Sequence, residues 1–428
     1  MTLAQPRPHR DAGMAFAVVI VLVALNLRAF LTSSSPLLAA IRQATGIGFH
    51  AVALLTVLPM FAMGALSLFG AAIGQRIGAR AGIACGLAAI AVACASRYVA
   101  GGAAALLWSA ALAGAGVGLV QALMSGVVKQ AYPTRIGVMT GLYSAAIMGG
   151  GGLGAMASPW VAHALGGAQP DWHAGLAIWS LLATFALLYW LNMRRMTFTA
   201  DAPRQNLSWR RCFGNRRAWL LAACFGLING GYTSLVAWLP HFYAQQGWSA
   251  QQGGSMLALM TLAQVVAALA MPALARSRGR DMRPWLVLTL LAQLAGFGTL
   301  TFALPVPAVA TAIVLGFGLG GAFALCMVLA LDHLSDPAQA GALAGFMQGV
   351  GFMIAALAPF VTGWVREHTG GFTLAWAYLA AVVVVLLPLM LCFDPKRYGK
   401  AMAGLFAAPT TVPRAAQPHV MPDTARKA

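Results

Sequence analysis

Residues 14–40 read MAFAVVIVLVALNLRAFLTSSSPLLAA, an apolar run that contains one arginine, Arg28, and ends in a polar cluster before Pro36. A helix that crosses a hydrocarbon core of about 30 Å needs roughly 20 predominantly apolar residues, so this run is long enough to span a membrane. Arg7 and Arg10 precede it as in a signal peptide, but the run exceeds the length of a signal h-region. We therefore expect an uncleaved first transmembrane helix.

Further apolar runs of spanning length follow, and a basic segment at 194–217 divides the set into two groups of six. The predicted spans are 14–40, 50–74, 81–100, 103–127, 136–162 and 174–193, then 218–244, 250–274, 284–304, 307–330, 340–363 and 372–392. The pattern predicts an all-α membrane protein with twelve transmembrane helices in two pseudo-symmetric six-helix bundles, residues 14–193 and 218–392. We expect a cytoplasmic N-terminus at 1–13, a cytoplasmic linker at 194–217 and a disordered cytoplasmic tail at 393–428.

Composition and charge agree with a membrane protein. Apolar residues make up 60% of the chain and charged residues 8%, whereas soluble domains carry roughly 25% charged residues. The net charge is +18, but the basic residues lie in short segments between spans, which indicates topology and no nucleic-acid partner. Of the 27 Lys and Arg residues, Arg28 lies within a span, and only Arg42, Arg97 and Arg366 lie on the side opposite the termini. We expect a multi-pass protein of the bacterial inner membrane, in contact with the lipid bilayer, with both termini cytoplasmic.

The sequence contains no motif typical of an enzyme or a metal site. There is no Cys-x-x-Cys pair and no G-x-S-x-G or H-E-x-x-H pattern, so we predict no disulfide, no metal, no cofactor and no enzymatic activity. A channel would need a ring of like groups from several subunits, which a single buried arginine in an asymmetric chain does not provide. We therefore expect a monomeric carrier.

The two groups of spans resemble each other at an offset near 200 residues. The glycines of GAGVG at 114–118 correspond to those of GFGLG at 316–320, and Pro159 corresponds to Pro359. Such repeats are typical of transporters whose site lies between the two halves. An offset of 204, from Pro36 to Pro240, places Arg28 opposite Tyr232.

Several short strings carry a family resemblance. The loop Gln75 to Arg80 resembles the signature loop between helices 2 and 3 of the major facilitator superfamily, with Gln75 in place of its aspartate. The strings LNLR at 25–28, GGGGLG at 149–154, INGGY at 228–232 and FMQG at 346–349 resemble the cyanate transporter (CynX-type) family, which also contains 2-nitroimidazole exporters. The resemblance covers about residues 15–393 and implies the major facilitator fold and transport of a small solute.

Arg28 is the strongest candidate for a binding residue. It lies near the middle of the first span, and none of the nine Asp and Glu residues lies inside a predicted span. A charge at bilayer depth is costly, so it should face a partner or a wet cavity. Its planar fork of donors suits a small anion, and the alternative is a structural arginine that bonds backbone carbonyls.

Other polar residues within the spans are candidates for the same site. Gln121, Gln264 and Gln348 lie at spanning depth, and of these we favour Gln121 and Gln348. For each residue the alternative is packing between helices, where polar side chains bond backbone or neighbouring spans. The candidate substrate-binding residues are Asn26, Arg28, Thr32, Gln121, Asn229, Tyr232 and Gln348.

For gating or coupling the sequence offers only weak candidates, Arg76, Asp332 and His333, all near the cytoplasmic ends of spans. The sequence thus predicts a secondary active or facilitated transporter that works by rocker-switch alternating access. The family resemblance suggests cyanate or a cyanate-like anion. The alternative is export of a neutral nitroimidazole-like or other small organic compound, in which Arg28 would meet a nitro group.

Overall fold

The computed structural model describes residues 13–34, 36–46, 49–166, 171–193, 209–248, 250–403 and 405. Within these residues the regular structure is entirely helical. The first part of the chain forms α1 Met14–Thr32, α2 Leu38–Thr45, α3 Phe49–Ile77, α4 Ala79–Ser96, α5 Ala103–Ala131, α6 Ile136–Gly166, α7 Trp172–Ala177 and α8 Trp179–Asn192. The second part forms α9 Trp209–Phe213, α10 Arg216–Gln245, α11 Ala250–Ser277, α12 Arg283–Phe302, α13 Ala308–Asp332, α14 Pro337–Thr369, α15 Thr373–Leu391 and α16 Tyr398–Ala401.

The helices confirm the predicted twelve-span architecture. In the described part of the chain, eleven spans are long and apolar enough to cross a membrane, with α7 and α8 together counted as one. The stretch Val57–Gly70 within α3 is a shorter apolar segment at the place of the remaining predicted span. Most of the predicted linker and tail, residues 194–208 and 406–428, lies outside the described residues, and the division into two bundles stays a prediction.

The first predicted span is shorter in the structure than in the sequence analysis. Helix α1 ends at Thr32, and the chain turns before α2 starts at Leu38. Pro36 has no N–H to donate and disfavours helical geometry in the residue before it. Ser33 Oγ also donates to the carbonyl of Phe30 at 2.9 Å, which occupies an acceptor at the helix end. The polar cluster before the proline is therefore a helix terminus.

The start of the predicted tail is folded rather than disordered. A short 3₁₀ turn at Pro395–Arg397 leads into α16. Phe393, Tyr398 and Met402 are buried, and the ring of Tyr398 stacks on His333 with centroids 3.9 Å apart. These aromatic and apolar side chains pack the segment against the end of α13. The basic composition of the tail does not predict this contact.

The same close helix packing at glycine residues occurs in both parts of the chain. A Cβ atom on Gly118 of α5 would lie 2.2 Å from the carbonyl oxygen of Met63 in α3. The same contact recurs between α13 and α11, where a Cβ atom on Gly320 would lie 2.3 Å from the carbonyl oxygen of Gln264. Only glycine permits this approach of two helices. The offsets of 202 and 201 residues match the repeat seen in the sequence.

Candidate functional site

Arg28 lies at the centre of the molecule, where α1 faces α10. Its side chain has 0% exposure, and its Nη2 donates a hydrogen bond to Oδ1 of Asn229 at 3.4 Å. Among the described residues, neither Nε nor Nη1 of Arg28 has a hydrogen-bond partner. A buried donor without a partner costs about 1–3 kcal/mol, and more when it is charged. The guanidinium thus keeps two directions open for an acceptor.

Two aromatic rings lie against the Arg28 guanidinium. Its Cζ atom is 4.6 Å from the ring centroid of Tyr232 and 5.7 Å from that of Phe323. Contacts of a cation with aromatic faces stabilise it by about 0.5–2 kcal/mol each. They do so without using its N–H donors, so the charge is partly stabilised while the donors stay free.

Small residues in α6 hold α1 in this position. A Cβ atom on Gly150 would lie 2.0 Å from the carbonyl oxygen of Leu25, so the two helix backbones are in contact there. Thr32 Oγ1 donates to the carbonyl of Gly151 at 2.6 Å and adds a hydrogen bond between the same helices. With one face of α1 fixed on α6, Arg28 is directed toward α10.

The structure revises the repeat register around Arg28. Thr233 Oγ1 donates to the carbonyl of Ala355 in α14 at 3.1 Å, as Thr32 does to α6. The two threonines are 201 residues apart, and so are Arg28 and Asn229. The counterpart of Arg28 is therefore Asn229 rather than Tyr232, which lies one turn further along α10 and contributes its ring.

Arg97 provides a comparison with Arg28 within the same chain. It is also buried, with 3% exposure, but its Nε donates to Ser109 Oγ at 3.1 Å and its Nη1 to the carbonyl of Phe30 at 3.1 Å. Arg97 therefore fits the structural alternative that the sequence analysis left open for Arg28. Arg28 itself donates to no backbone carbonyl among the described residues.

A small cavity of about 10 Å³ lies near Arg28, with room for about one water molecule; Arg28 does not line it but contacts its wall residues Asn229, Tyr232 and Phe323. It adjoins the aromatic pair and the amide of Asn229. Its walls come from both parts of the chain: Met148, Ile228, Asn229, Tyr232, Gln264, Leu319 and Phe323.

Gln264 of α11, which was ranked below Gln121 and Gln348 from the sequence, is the glutamine that lines the cavity. It lines the cavity, has 0% exposure, and neither atom of its amide has a hydrogen-bond partner among the described residues. The repeat carries a signal for it, since its counterpart in α3 is the apolar Met63. A polar residue at a position that the other half fills with methionine is not explained by packing.

The other predicted glutamines lie outside the cavity wall. Gln121 is buried, and both atoms of its amide are without a partner in the described part of the chain. Gln348 Nε2 donates to Ser125 Oγ at 3.4 Å and to the carbonyl of Ala344 at 3.3 Å, while its Oε1 is unpaired among the described residues. Both amides keep acceptor capacity, but neither lines the cavity in this structure.

Asn26 and Thr32 make the contacts of helix-packing residues. Asn26 Nδ2 donates to the carbonyl of Leu22 at 2.7 Å within α1. The hydroxyl of Thr32 donates to the α6 backbone. Neither residue belongs to the cavity wall.

The weak gating candidates lie at one end of the bundle, where α8 ends and α10 begins, and we call this end the linker side. Asp332 forms an ion pair with Arg276 of α11. His333 is buried; its Nε2 accepts a hydrogen bond from Arg217 Nε at 3.2 Å, and burial lowers its pKa to about 4. With this pKa, His333 is neutral near pH 7. Arg76 is exposed at the end of α3.

Comparisons with known proteins agree with this architecture. A sequence model of the Major Facilitator Superfamily matches residues 15–359. The chain is 46% identical over 382 residues to the cyanate transport protein CynX of Escherichia coli K12, covering 89% of this chain and 97% of that protein. It is 28% identical over 376 residues to the 2-nitroimidazole transporter of the same organism, covering 87% of this chain and 93% of that protein.

Solved structures resemble the fold at low sequence identity. The proton:xylose symporter XylE superposes with a TM-score of 0.72 at 13% identity, covering 89% of this chain and 95% of that chain. The human organic anion transporter MFSD10 gives a TM-score of 0.66 at 17% identity, covering 88% of this chain and 100% of that chain.

Proposed function

The chain belongs to the major facilitator superfamily and is a multi-pass inner-membrane transporter of a small solute, and on this premise we propose that the solute is cyanate or a cyanate-like monovalent anion. The relative at 46% identity is a cyanate transport protein. The observation that carries the proposal is Arg28, a fully buried cation with two unpartnered nitrogens among the described residues.

The charge around Arg28 favours an anionic substrate. No acid lies within the predicted spans, so the guanidinium has no carboxylate to neutralise it at that depth. Guanidinium donors bind anions through charge-assisted hydrogen bonds, which are about twice as strong as neutral ones. Arginine also keeps its charge at any physiological pH. One bound monovalent anion would leave the site electrically neutral.

The shape of the cavity favours a small substrate. The cavity has room for about one water molecule and must expand for a linear anion of three atoms, and it must expand further for any larger solute. We place one end of the anion at Nε and Nη1 of Arg28 and the other near the amide of Gln264. Asn229 orients the guanidinium through its Oδ1, and the ring of Tyr232 covers one face.

The second candidate is export of a nitroimidazole, because a relative at 28% identity is a 2-nitroimidazole transporter. A nitro group can accept from Arg28, but the ring would require a larger rearrangement of Met148 and Phe323, which line the small cavity. The lower identity and the size of the cavity both place this function second.

We propose that transport proceeds by alternating access between two six-helix bundles in a monomer, with both termini and the linker side in the cytoplasm. The distribution of basic residues supports this orientation. Arg28 is closed to solvent in this structure, as expected of an occluded state between outward- and inward-open forms. The bundles would rock about the glycine contacts that α6 makes with α11 and α3 makes with α14.

Counterflow in proteoliposomes tests the function. Vesicles loaded with unlabelled cyanate should take up radiolabelled cyanate faster than empty vesicles, because a carrier is accelerated by substrate on the opposite side. A nitroimidazole inside the vesicles should give no such acceleration. Uptake that is the same in loaded and empty vesicles would contradict a cyanate carrier, and acceleration by the nitroimidazole alone would favour the second candidate.

A further inference from the structure

A polar stripe runs along α5 from the centre of the molecule to the linker side. Gln121, Ser125 and Lys129 follow each other at four-residue spacing and so share one helix face. At the repeat offset of 202 their counterparts in α13 are apolar, Phe323, Met327 and Leu331. Since the apolar residues serve the same packing position, packing alone does not require the polar ones.

Three polar residues of α5 and α6 are buried without partners among the described residues. Neither amide atom of Gln121 is paired among the described residues, and the same holds for the hydroxyls of Thr140 and Ser144 in α6. Ser144 and Thr140 lie one and two turns toward the linker side from Met148, which lines the central cavity. Serine and threonine in helices usually bond their own preceding carbonyls, and these two do not.

Each such group costs about 1–3 kcal/mol while it stays buried and unpaired. The cost disappears in a conformation that exposes the group to water or to a polar solute. The unpaired groups therefore indicate that this region opens in another state of the protein.

Lys129 closes the stripe at the linker side. Its Nζ donates to the carbonyl oxygens of Leu331 and Leu334, at the C-terminal end of α13. These carbonyls have no partner within the helix and carry its negative dipole end, so they suit a cation. The contact joins the first predicted bundle to the second.

The contact also places Lys129 on the pseudo-twofold axis. Two positions related by a twofold axis can touch only where they lie next to it. Lys129 binds the backbone of Leu331, its own counterpart at 202, and Arg28 binds the side chain of Asn229, its counterpart at 201. Arg28 and Lys129 thus mark two points on one axis, the line along which a solute would move between the halves.

The linker side is tightly closed around this axis. A Cβ atom on Gly341 of α14 would lie 3.1 Å from Cα of Gly126 in α5, so the two helices are in close contact. Ser125 accepts a hydrogen bond from Gln348 at 3.4 Å across the same interface. Gln121 and Ser125 are buried in this structure, and Lys129 at the end of the stripe is partly exposed.

We propose that Gln121, Ser125 and Lys129, with Ser144 and Thr140, form the cytoplasmic exit lane for the anion, and that Lys129 is its second anion-binding residue. The inference rests on the proposed function for the identity of the solute. When the bundles separate on the linker side, Lys129 leaves the two carbonyls and its ammonium becomes free. An anion that arrives from Arg28 then replaces the carbonyls, so substrate itself favours the open lane.

Thiol accessibility tests the lane. We would replace the six native cysteines with alanine, introduce Ser125→Cys, and treat the vesicles with a membrane-impermeant thiol reagent from either side. The Ser125→Cys thiol should react from the cytoplasmic side only, and Lys129→Met should raise its rate at least about tenfold because the closed state loses two charge-assisted hydrogen bonds. A chain that retains only the buried Cys94 should stay unreactive.

Side-resolved transport tests the anion-binding role of Lys129. In vesicles of both orientations, Lys129→Met should raise the KM for cyanate from the cytoplasmic side about tenfold and leave the opposite side within about twofold. Lys129→Arg should restore most of the affinity. Lys400→Met, at an exposed lysine in α16, should behave as the parent protein.

The outcomes separate this inference from the proposed function. A Ser125→Cys thiol that is inert from both sides, or reactive only from outside, would overturn the lane whatever the solute is. A KM unchanged from both sides in Lys129→Met would overturn the second binding residue. A reactive lane in a protein that fails to transport cyanate would leave the path standing and refute the substrate.

Discussion

Arg28 and Asn229 are counterparts in the two repeated halves, and Nη2 of Arg28 donates to Oδ1 of Asn229 at 3.4 Å. The repeat therefore brings two unlike residues to the same place on its axis, a cation from α1 and an amide from α10. The asymmetry continues at Gln264, whose counterpart is Met63, and at Lys129, whose counterpart is Leu331. A symmetric fold thus carries a site that is charged on one side and neutral on the other.

The first prediction concerns Arg28. Arg28→Gln should lower cyanate counterflow at least about tenfold because it removes the charge and both free donors. Arg28→Lys should also impair transport, since lysine keeps the charge but loses the planar fork. Thermal unfolding of both variants should stay near that of the parent protein, and that of Arg28→Gln should rise if anything, because it removes a buried charge that has no carboxylate partner.

Arg97→Gln is the matched control for this experiment. Arg97 is buried like Arg28, but its donors bond Ser109 and the carbonyl of Phe30. Its loss should lower the unfolding temperature. If Arg28→Gln is destabilised as much as Arg97→Gln and its residual transport is normal, Arg28 is a structural residue.

Asn229→Asp tests the geometry of the pair. A carboxylate in place of the amide would lie within hydrogen-bond distance of Nη2 and would act as an internal anion for Arg28. We expect cyanate transport to fall at least about tenfold and the unfolding temperature to rise, because the new ion pair neutralises a buried cation. Asn229→Leu should lower affinity less, since it leaves Arg28 without a competitor. Equal effects of the two substitutions would contradict the assignment.

Gln264→Met copies the residue that the other half of the repeat has at this position. The variant should raise the KM for cyanate about tenfold, the loss expected when a buried hydrogen bond to a charged solute disappears. Its thermal stability should increase, because two unpaired amide atoms are removed from the interior. An unchanged KM would show that the substrate does not reach this amide.

The fold could be predicted from the sequence because hydrocarbon thickness sets the length of each span and the glycine repeats set the symmetry. The burial of Arg28 could be predicted because it lies in the middle of an apolar run. The end of α1 at Thr32 was not predicted, because the predicted span followed the apolar residues past the polar cluster and Pro36 to residue 40. The place of Gln264 in the cavity wall could not be predicted, because a sequence does not show whether a buried amide finds a partner. Whether Gln121 and Gln348 contact substrate depends on the conformational state of the protein. The order of residues along the chain does not show in which state these side chains are exposed.

The pH dependence of stability should report on His333. Its folded pKa, lowered to about 4 by burial next to Arg217, lies below that of an unfolded histidine at about 6.5. The unfolded chain therefore takes up a proton between these values while the folded one does not, so the stabilising contribution is present above pH 6.5 and is lost as the pH falls toward 4. The unfolding temperature should drop over this range.

His333→Asn should flatten that part of the pH profile, and the exposed His368→Asn should not. Cyanate counterflow should be insensitive to protonation of His333 between about pH 6 and 8, where the folded residue stays neutral. A transport rate that follows a titration near pH 6.5 and loses it in His333→Asn would instead support a proton-coupling role.

The unpaired hydroxyls of α6 give the last prediction. Thr140→Val and Ser144→Ala each remove a buried oxygen that lacks a partner among the described residues, with little change in shape. Each should raise the free energy of unfolding by about 1 kcal/mol or more. Each should also slow turnover, because the open lane loses a group that water or the anion would bond, while the closed lane gains stability. Thr261→Val is the matched control, since Thr261 Oγ1 already donates to the carbonyl of Leu257 at 2.9 Å and its removal offers no such gain. If all three variants shift stability and turnover alike, the hydroxyls of α6 have no special role in opening the linker side.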